Sequence, residues 1–178
     1  MFLVEVKSRI VILLALGVLL VGVPSTAAAA TKPPTLQQMR AAAAKAERST
    51  DLWATVNICN TAKYPDTIGI RGQMPALGFA ATLQMQITLD YYSLATASLK
   101  PVPKAHMLVS LGTVTSGDYQ DGVTFKVKPP AILSGTIKFF WRSGTTLLGS
   151  AIKHASGGEK GVDQSDPGGF SAATCRMS

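Results

Sequence analysis

The chain is poor in the residues that most catalytic and metal-binding sites need. Its 178 residues include two histidines, two cysteines and ten acidic residues, and only 15% of the sequence is charged. It contains no G-x-S-x-G nucleophile motif, no phosphate-binding loop and no dinucleotide fingerprint. The sequence therefore gives no support to the common hydrolase, nucleotidase and dehydrogenase classes. We expect a protein that is not an enzyme, with no catalytic residue and no cofactor.

The chain also lacks an apolar run long enough to span a membrane comfortably, which takes about 20 residues. Its apolar run, Ile10–Val23, has fourteen residues, follows a short basic start, and ends at Pro24 and the small residues 25–30. This order is typical of a secretory signal peptide. We predict that residues 1–30 are a signal peptide, and that the working protein starts near Thr31. It would then be secreted or extracellular, in the cell envelope or the medium, with no membrane contact after cleavage. An uncleaved anchor is the alternative.

Acidic residues are fewer than basic ones, 10 against 17, which gives a formal net charge of +7. The basic residues are scattered along the chain, with no run of five or six. Such scattering is typical of a solvated surface, whereas nucleic-acid sites show clustered charge. We therefore expect no nucleic-acid partner. An excess of positive charge favours anionic polymers, so an unknown protein or a cell-envelope polymer is the expected partner.

The two cysteines, Cys59 and Cys175, are 116 residues apart. In an oxidising compartment a lone pair of cysteines usually forms a disulfide, which here would tie the first strand to the last. A metal pair is one alternative, but His106 and His154 show none of the short ligand spacings of zinc modules. A nucleophilic thiol is the other. The predicted compartment favours the disulfide, and we expect no metal.

Beyond the N-terminal segment, apolar residues recur at every second position. Residues 79–92 show the clearest alternation, and residues 133–142 repeat it. Turn residues separate seven or eight such strands at intervals near ten residues, which is typical of an antiparallel sandwich. We predict an all-β, immunoglobulin-like antiparallel β-sandwich over residues 51–178. The distance from Cys59 to Trp141 does not fit a true antibody-type domain.

Residues 31–50 have a different composition. Leu36–Arg48 contains good helix formers, and its apolar face is mostly alanine. We predict a linker or a short helix, which either lies on the sandwich or forms a flexible stalk.

Neighbouring aromatic residues place rings on both faces of two predicted strands, at Tyr91-Tyr92 and at Phe139-Phe140-Trp141. One face of each strand packs in the core, so by parity Tyr92 and Phe140 lie on the other face. These two are our candidate ligand-binding residues. Cross-strand packing, or cover beneath a loop or the predicted helix, is the alternative role.

Two acidic segments, 118–122 and 163–166, are candidate calcium loops. Calcium takes six to eight oxygen ligands, and neither segment follows the twelve-residue loop pattern with its terminal glutamate. We therefore interpret both as structural turns. Likewise, His106 and His154 are expected to be surface or satisfied strand residues.

Three segments carry a resemblance to known proteins: WATVNICN at 53–60, PDTIGIRGQMP at 65–75 and FSAATC at 170–175. They resemble a family of small secreted bacterial proteins of unknown function, over most of the chain that follows the signal peptide. The resemblance implies export, a sandwich-like domain and a terminal disulfide. It carries no activity and no catalytic residue.

We therefore expect a secreted, non-catalytic β-sandwich module with a binding or structural role at the cell surface or in the medium. Two alternatives stay open. One is a carbohydrate-binding module that uses the outward aromatic residues, and the other is a small secreted hydrolase with an unrecognised site.

Overall fold

The structure is a computed structural model that describes residues 32–178. The predicted signal peptide, residues 1–30, lies outside the described residues. Within them the chain forms one helix and eight strands: α1 (Leu36–Ala46), β1 (Trp53–Cys59), β2 (Thr67–Pro75), β3 (Ala81–Ser93), β4 (Ser98–Val114), β5 (Asp118–Lys126), β6 (Ala131–Ser143), β7 (Thr146–His154) and β8 (Cys175–Met177). No helix in this part of the chain is both long and apolar enough to cross a membrane.

The strands form two antiparallel sheets that pack face to face as a β-sandwich. The first sheet has three strands in the order β1-β2-β5, and the second has the order β4-β3-β6-β7. β8 shares an edge of β6 with β7, because β7 pairs with residues 136–143 and β8 pairs with residues 131–133. The predicted antiparallel β-sandwich is therefore confirmed, and the structure is mostly β with one short helix, α1.

The alternation in the sequence marks the two central strands of the larger sheet. In β3 every odd-numbered residue from Ala81 to Leu89 is buried, while the even-numbered residues between them are half-buried. β6 repeats the pattern, since Ile137, Phe139 and Trp141 have no exposed surface. Both strands thus turn one face to the core and the other to solvent, as period-two patterning requires.

Two glycines let the sheets approach closely. A Cβ on Gly135 of β6 would lie 2.6 Å from the side chain of Ile70 on β2. A Cβ on Gly72 of β2 would lie 2.7 Å from Cδ1 of Ile137. Branched side chains of each sheet therefore fill the space beside a glycine of the other, which gives the close packing of a native core.

We expect Gly135→Ala to lower the free energy of unfolding by about 1–3 kcal/mol, because the new methyl group must displace Ile70 in a close-packed core. Urea denaturation followed by circular dichroism measures the loss. Gly168→Ala is the matched control, since nothing lies within 4 Å of a Cβ built there. Equal losses at the two positions would contradict the contact between the sheets.

The acidic segment 118–122 is a strand and not the predicted turn. Residues 118–126 form β5, which pairs without interruption with residues 67–75 of β2. Its Asp and Gly residues favour turns locally, but the long ladder with β2 overrides that preference.

Helix α1 lies on the sandwich and not apart from it as a stalk. Ala43 has no exposed surface, and its Cβ occupies the space beside Gly149 of β7, where a Cβ would lie 2.9 Å away. Glu47 Oε1 accepts a hydrogen bond of 2.9 Å from the backbone N–H of Ser150. The alanine-rich face thus suits a close approach to a glycine on the strand.

Cys59 at the end of β1 and Cys175 at the start of β8 form a disulfide, with their Cα atoms 5.3 Å apart. The predicted link between the first and last strands is confirmed. It also joins the two sheets, because β1 belongs to the smaller sheet and β8 to the larger. A structural disulfide of this kind indicates an oxidising environment.

Candidate binding surface

Phe140 lies on the outer face of the larger sheet, in the middle of β6. It is half-buried between Phe139 and Trp141, which are fully buried, so its side chain points away from the core. Across the sheet it pairs with Gln84 of β3 and Ser150 of β7. The outward orientation expected from parity is therefore found.

Two cations flank the ring of Phe140. Lys138 Nζ lies 5.3 Å from the ring centroid, and Arg142 Cζ lies 5.7 Å from it, both within cation–π range. Arg142 Nε also donates a 3.1 Å hydrogen bond to Gln84 Oε1, which fixes the guanidinium against β3. The ring thus supports two cationic groups on one sheet face. We call Gln84, Lys138, Phe140 and Arg142 the cationic surface.

The neighbourhood of the cationic surface is polar and carries little negative charge. Gln86 of β3 pairs with Lys138 and adds a second amide to the face. Among the outward residues of β3 and β6 the only acid is Asp90, which is 6% exposed and accepts a 2.6 Å hydrogen bond from Thr136 Oγ1. The positive potential of Lys138 and Arg142 is therefore directed to solvent.

Tyr92, the other candidate ligand-binding residue, lies far from Phe140. It follows Gln84 by eight residues along β3, which separates the two rows by roughly 26 Å. Tyr92 is 36% exposed and lines a separate cleft of about 400 Å³ with Pro130 and Met177. The structure therefore does not bring Tyr92 and Phe140 into one aromatic platform.

A carboxylate, a hydroxyl and an imidazole meet near one end of the same face. Thr136 Oγ1 donates to Asp90 Oδ2 and lies 2.9 Å from His154 Nδ1. A hydroxyl has a single proton, so when Asp90 accepts it, Nδ1 of His154 must be the donor to Oγ1. In a hydrolytic triad the imidazole stands between the hydroxyl and the carboxylate. Here the hydroxyl stands between them, and while Asp90 accepts the hydroxyl proton, Nδ1 of His154 is a donor and not a base.

The two histidines, His106 and His154, do not belong to a common site. His106 of β4 and His154 of β7 lie in one row of the sheet, but β3 and β6 separate them by roughly 14 Å. Within residues 32–178, no three side chains of His, Cys, Asp or Glu come together in a way that could hold a metal ion.

A further cleft lies between the end of α1 and the loop after β2. Its volume is about 520 Å³. Among residues 32–178, the charged side chains that line it are Lys45 and Arg48, and its lining there includes neither a carboxylate nor an imidazole. This cleft therefore presents positive charge but no acid–base pair.

One charged side chain, that of Arg71, is buried although no pattern in the sequence predicts its burial. Arg71 of β2 is 5% exposed, and its Nη2 donates to Gln164 Oε1. Its Nε is buried and has no hydrogen-bond partner among the described residues. Burial lowers the pKa of Arg71, while the charges of Asp121 and Asp163 act in the opposite direction. Sequence reasoning missed this site because an arginine in a strand is usually a surface residue.

Comparisons with known proteins identify no family for the chain. A scan against protein-family models finds no match, and searches of curated proteins and of solved structures find no similar chain. The resemblance to small secreted bacterial proteins is thus supported only at the level of architecture, as a two-sheet antiparallel β-sandwich.

Proposed function

We propose that this protein is a non-catalytic, exported β-sandwich module that binds an anionic polymer of the cell envelope through its cationic surface. The observation that carries the proposal is the pair of cations, Lys138 and Arg142, that Phe140 supports on one solvent-facing sheet. Gln84 and Gln86 add amide groups that hydrogen-bond to hydroxyl and carboxylate oxygens.

Charge complementarity is a better match for this surface than stacking of a neutral sugar. A stacked sugar needs an open aromatic face, whereas two cations lie over the ring of Phe140. Displacing them would cost their interaction with the ring quadrupole. We therefore keep the carbohydrate-binding alternative only for an acidic glycan.

Two features support an exported protein. The Cys59–Cys175 disulfide is of a kind that persists in oxidising compartments. Residues 1–30 have the basic start, apolar run and small-residue exit of a signal peptide. At the cell surface the abundant anionic polymers are envelope glycans, which favours a glycan over nucleic acid as the partner.

The strand order supports an immunoglobulin-like sandwich. When the first seven strands are lettered A, B, C, C′, E, F and G in chain order, the smaller sheet has the order A-B-E and the larger sheet the order C′-C-F-G. This order is related to that of immunoglobulin domains. Their conserved disulfide links strands B and F, whereas here Cys59 and Cys175 link β1 to an additional β8.

We expect the purified protein to be retained on immobilised polygalacturonate, a polymer of uronic acid, and not on neutral dextran. Retention falls as salt rises, because exposed charges are screened beyond about 8 Å at physiological ionic strength. Equal retention on both polymers would contradict binding by charge.

Removal of both cations, in a Lys138→Gln, Arg142→Gln double variant, is expected to weaken polygalacturonate binding roughly thirtyfold. The estimate takes about 1 kcal/mol per cation at an anionic surface. Lys128→Gln with Lys160→Gln is the matched control, because it changes the net charge equally at exposed positions outside the cationic surface. The control should lose roughly threefold or less. Equal losses in the two double variants would show that net charge, and not this surface, binds the polymer.

A further inference from the structure

Arg71 lies on the outer face of the smaller sheet, away from the cationic surface. Its neighbours Ile70 and Gly72 face the core, so the side chain of Arg71 points to the opposite side of β2. Gln164, in the segment between β7 and β8, covers it through the hydrogen bond to Nη2. A guanidinium is thus enclosed beneath a polar segment.

The hydrogen bonding of this guanidinium is incomplete. Nη2 has an amide oxygen as its acceptor, but Nε is buried without any acceptor among the described residues. Buried polar groups are almost always hydrogen-bonded, and a buried arginine is normally paired with a carboxylate. Nε is therefore a buried donor that a ligand oxygen could satisfy.

A cavity of about 240 Å³ adjoins Arg71. It is lined by Asn57, Ile58, Tyr64, Arg71, Gly122, Val123, Thr124 and Gln164. Two glycines near the arginine allow close packing around it, since a Cβ on Gly122 would lie 2.6 Å from the backbone oxygen of Ile70. Gly122 pairs with Arg71 across the ladder, and a Cβ on Gly69 would lie 2.6 Å from Asn57 Oδ1. The cavity has room for about eight water molecules, or for a small organic group.

The hydrogen-bond donors of Arg71 and the charges near it favour a carboxylate as the ligand. Nε and Nη2 form one edge of the guanidinium, to which a carboxylate binds through two parallel hydrogen bonds. Asp121 and Asp163 act on Arg71 electrostatically but do not hydrogen-bond to it. Their charges oppose a doubly charged phosphate more than a singly charged carboxylate.

We propose that Arg71 and its cavity form a second binding site, for a carboxylate group carried by a small acid or by the end of a longer ligand. Because Nε has almost no accessible surface, the Gln164 side chain must move aside; one ligand oxygen then accepts from Nε, and the other replaces Gln164 Oε1 as the acceptor of Nη2. The site lies on the other sheet from the cationic surface and does not rest on the proposed function.

The test is a titration with sodium acetate, observed through the ¹H–¹⁵N resonance of Arg71 Nε–H, which is assigned by its loss in Arg71→Lys. We expect a saturable shift at millimolar acetate, and no such shift with sodium chloride at equal ionic strength. An unchanged resonance, a shift shared with chloride, or tighter binding of inorganic phosphate than of acetate would each overturn the proposal.

Two variants separate binding from a purely structural role of Arg71. Gln164→Ala frees Nη2, so we expect acetate affinity to rise several-fold, since both hydrogen bonds then form without displacing an amide oxygen. Arg40→Lys, at an exposed position of α1, should leave the Arg71 response unchanged. A Gln164→Ala variant that binds acetate no better than the wild type would contradict the proposed replacement.

Discussion

Replacing both cysteines, as Cys59→Ala with Cys175→Ala, is expected to lower the free energy of unfolding by about 4–5 kcal/mol. The bond closes a loop with a sequence separation of 116 residues, and in the chain-entropy model a loop of that length restricts the unfolded chain by about this amount. It also fastens β8, which has only three residues and pairs with three residues of β6. Loss of the bond should therefore release β8 before the rest of the sandwich.

Urea denaturation with and without dithiothreitol measures the effect. Reductant should shift the wild-type transition toward that of the double variant and leave the variant itself unchanged. Titration of the denatured, unreduced wild-type protein should find no free thiol. Two free thiols, or a wild-type transition that reductant does not move, would contradict the structural role of this bond.

Phe139→Ala is expected to lower the free energy of unfolding by about 3–5 kcal/mol, whereas Phe140→Ala lowers it by about 1–2 kcal/mol, through the loss of its contacts with Lys138 and Arg142. The two residues are neighbours of the same type, and only their orientation differs. Phe139 has no exposed surface and packs between the sheets, so its loss leaves a cavity. Phe140 lies on the outer face, where the shortened side chain leaves no enclosed space.

Thermal and urea unfolding of the two variants, in the same buffer, make this comparison without any assumption about ligands. Similar losses, or a larger loss at Phe140, would mean that the register of β6 is shifted by one residue, since such a slip exchanges the two faces of a strand. The cationic surface would then be turned toward the core, and the proposed function would fail with it.

Local patterns in the sequence were enough to predict the sandwich and its covalent link. The alternation in β3 and β6 depends only on which face of each strand is buried, and this is a property of neighbouring residues. The pairing of Cys59 with Cys175 followed from their number and their compartment. Neither prediction required knowledge of which strand lies beside which.

Long-range pairing explains the prediction that failed, and it also sets the distance between the two candidate aromatic residues. Residues 118–122 were expected to turn, but they belong to β5, which has nine consecutive partners on β2. Tyr92 and Phe140 share an outward face, yet their separation along the sheet depends on the register between β3 and β6. Register is set by the tertiary fold and cannot be derived from either segment alone.

The two candidate sites differ in how visible they are in the sequence. Lys138, Phe140 and Arg142 occupy alternate positions of one predicted strand, so their common face could be inferred from parity, although their contact was not. The burial of Arg71 arises from Gln164, which is 93 residues away in the chain. No pattern in the residues near Arg71 predicts that a distant segment covers it.

The measurement that tests the proposed function most directly is a map of polygalacturonate fragments on the protein, from the shifts they cause in the backbone ¹H–¹⁵N spectrum. We predict that the largest shifts cluster on the N-terminal half of β3 and the C-terminal half of β6, around Gln84, Lys138 and Arg142, and that they disappear in the Lys138→Gln, Arg142→Gln variant. Shifts that cluster on the smaller sheet, or that are absent at low salt, would contradict an anionic-polymer site on the cationic surface.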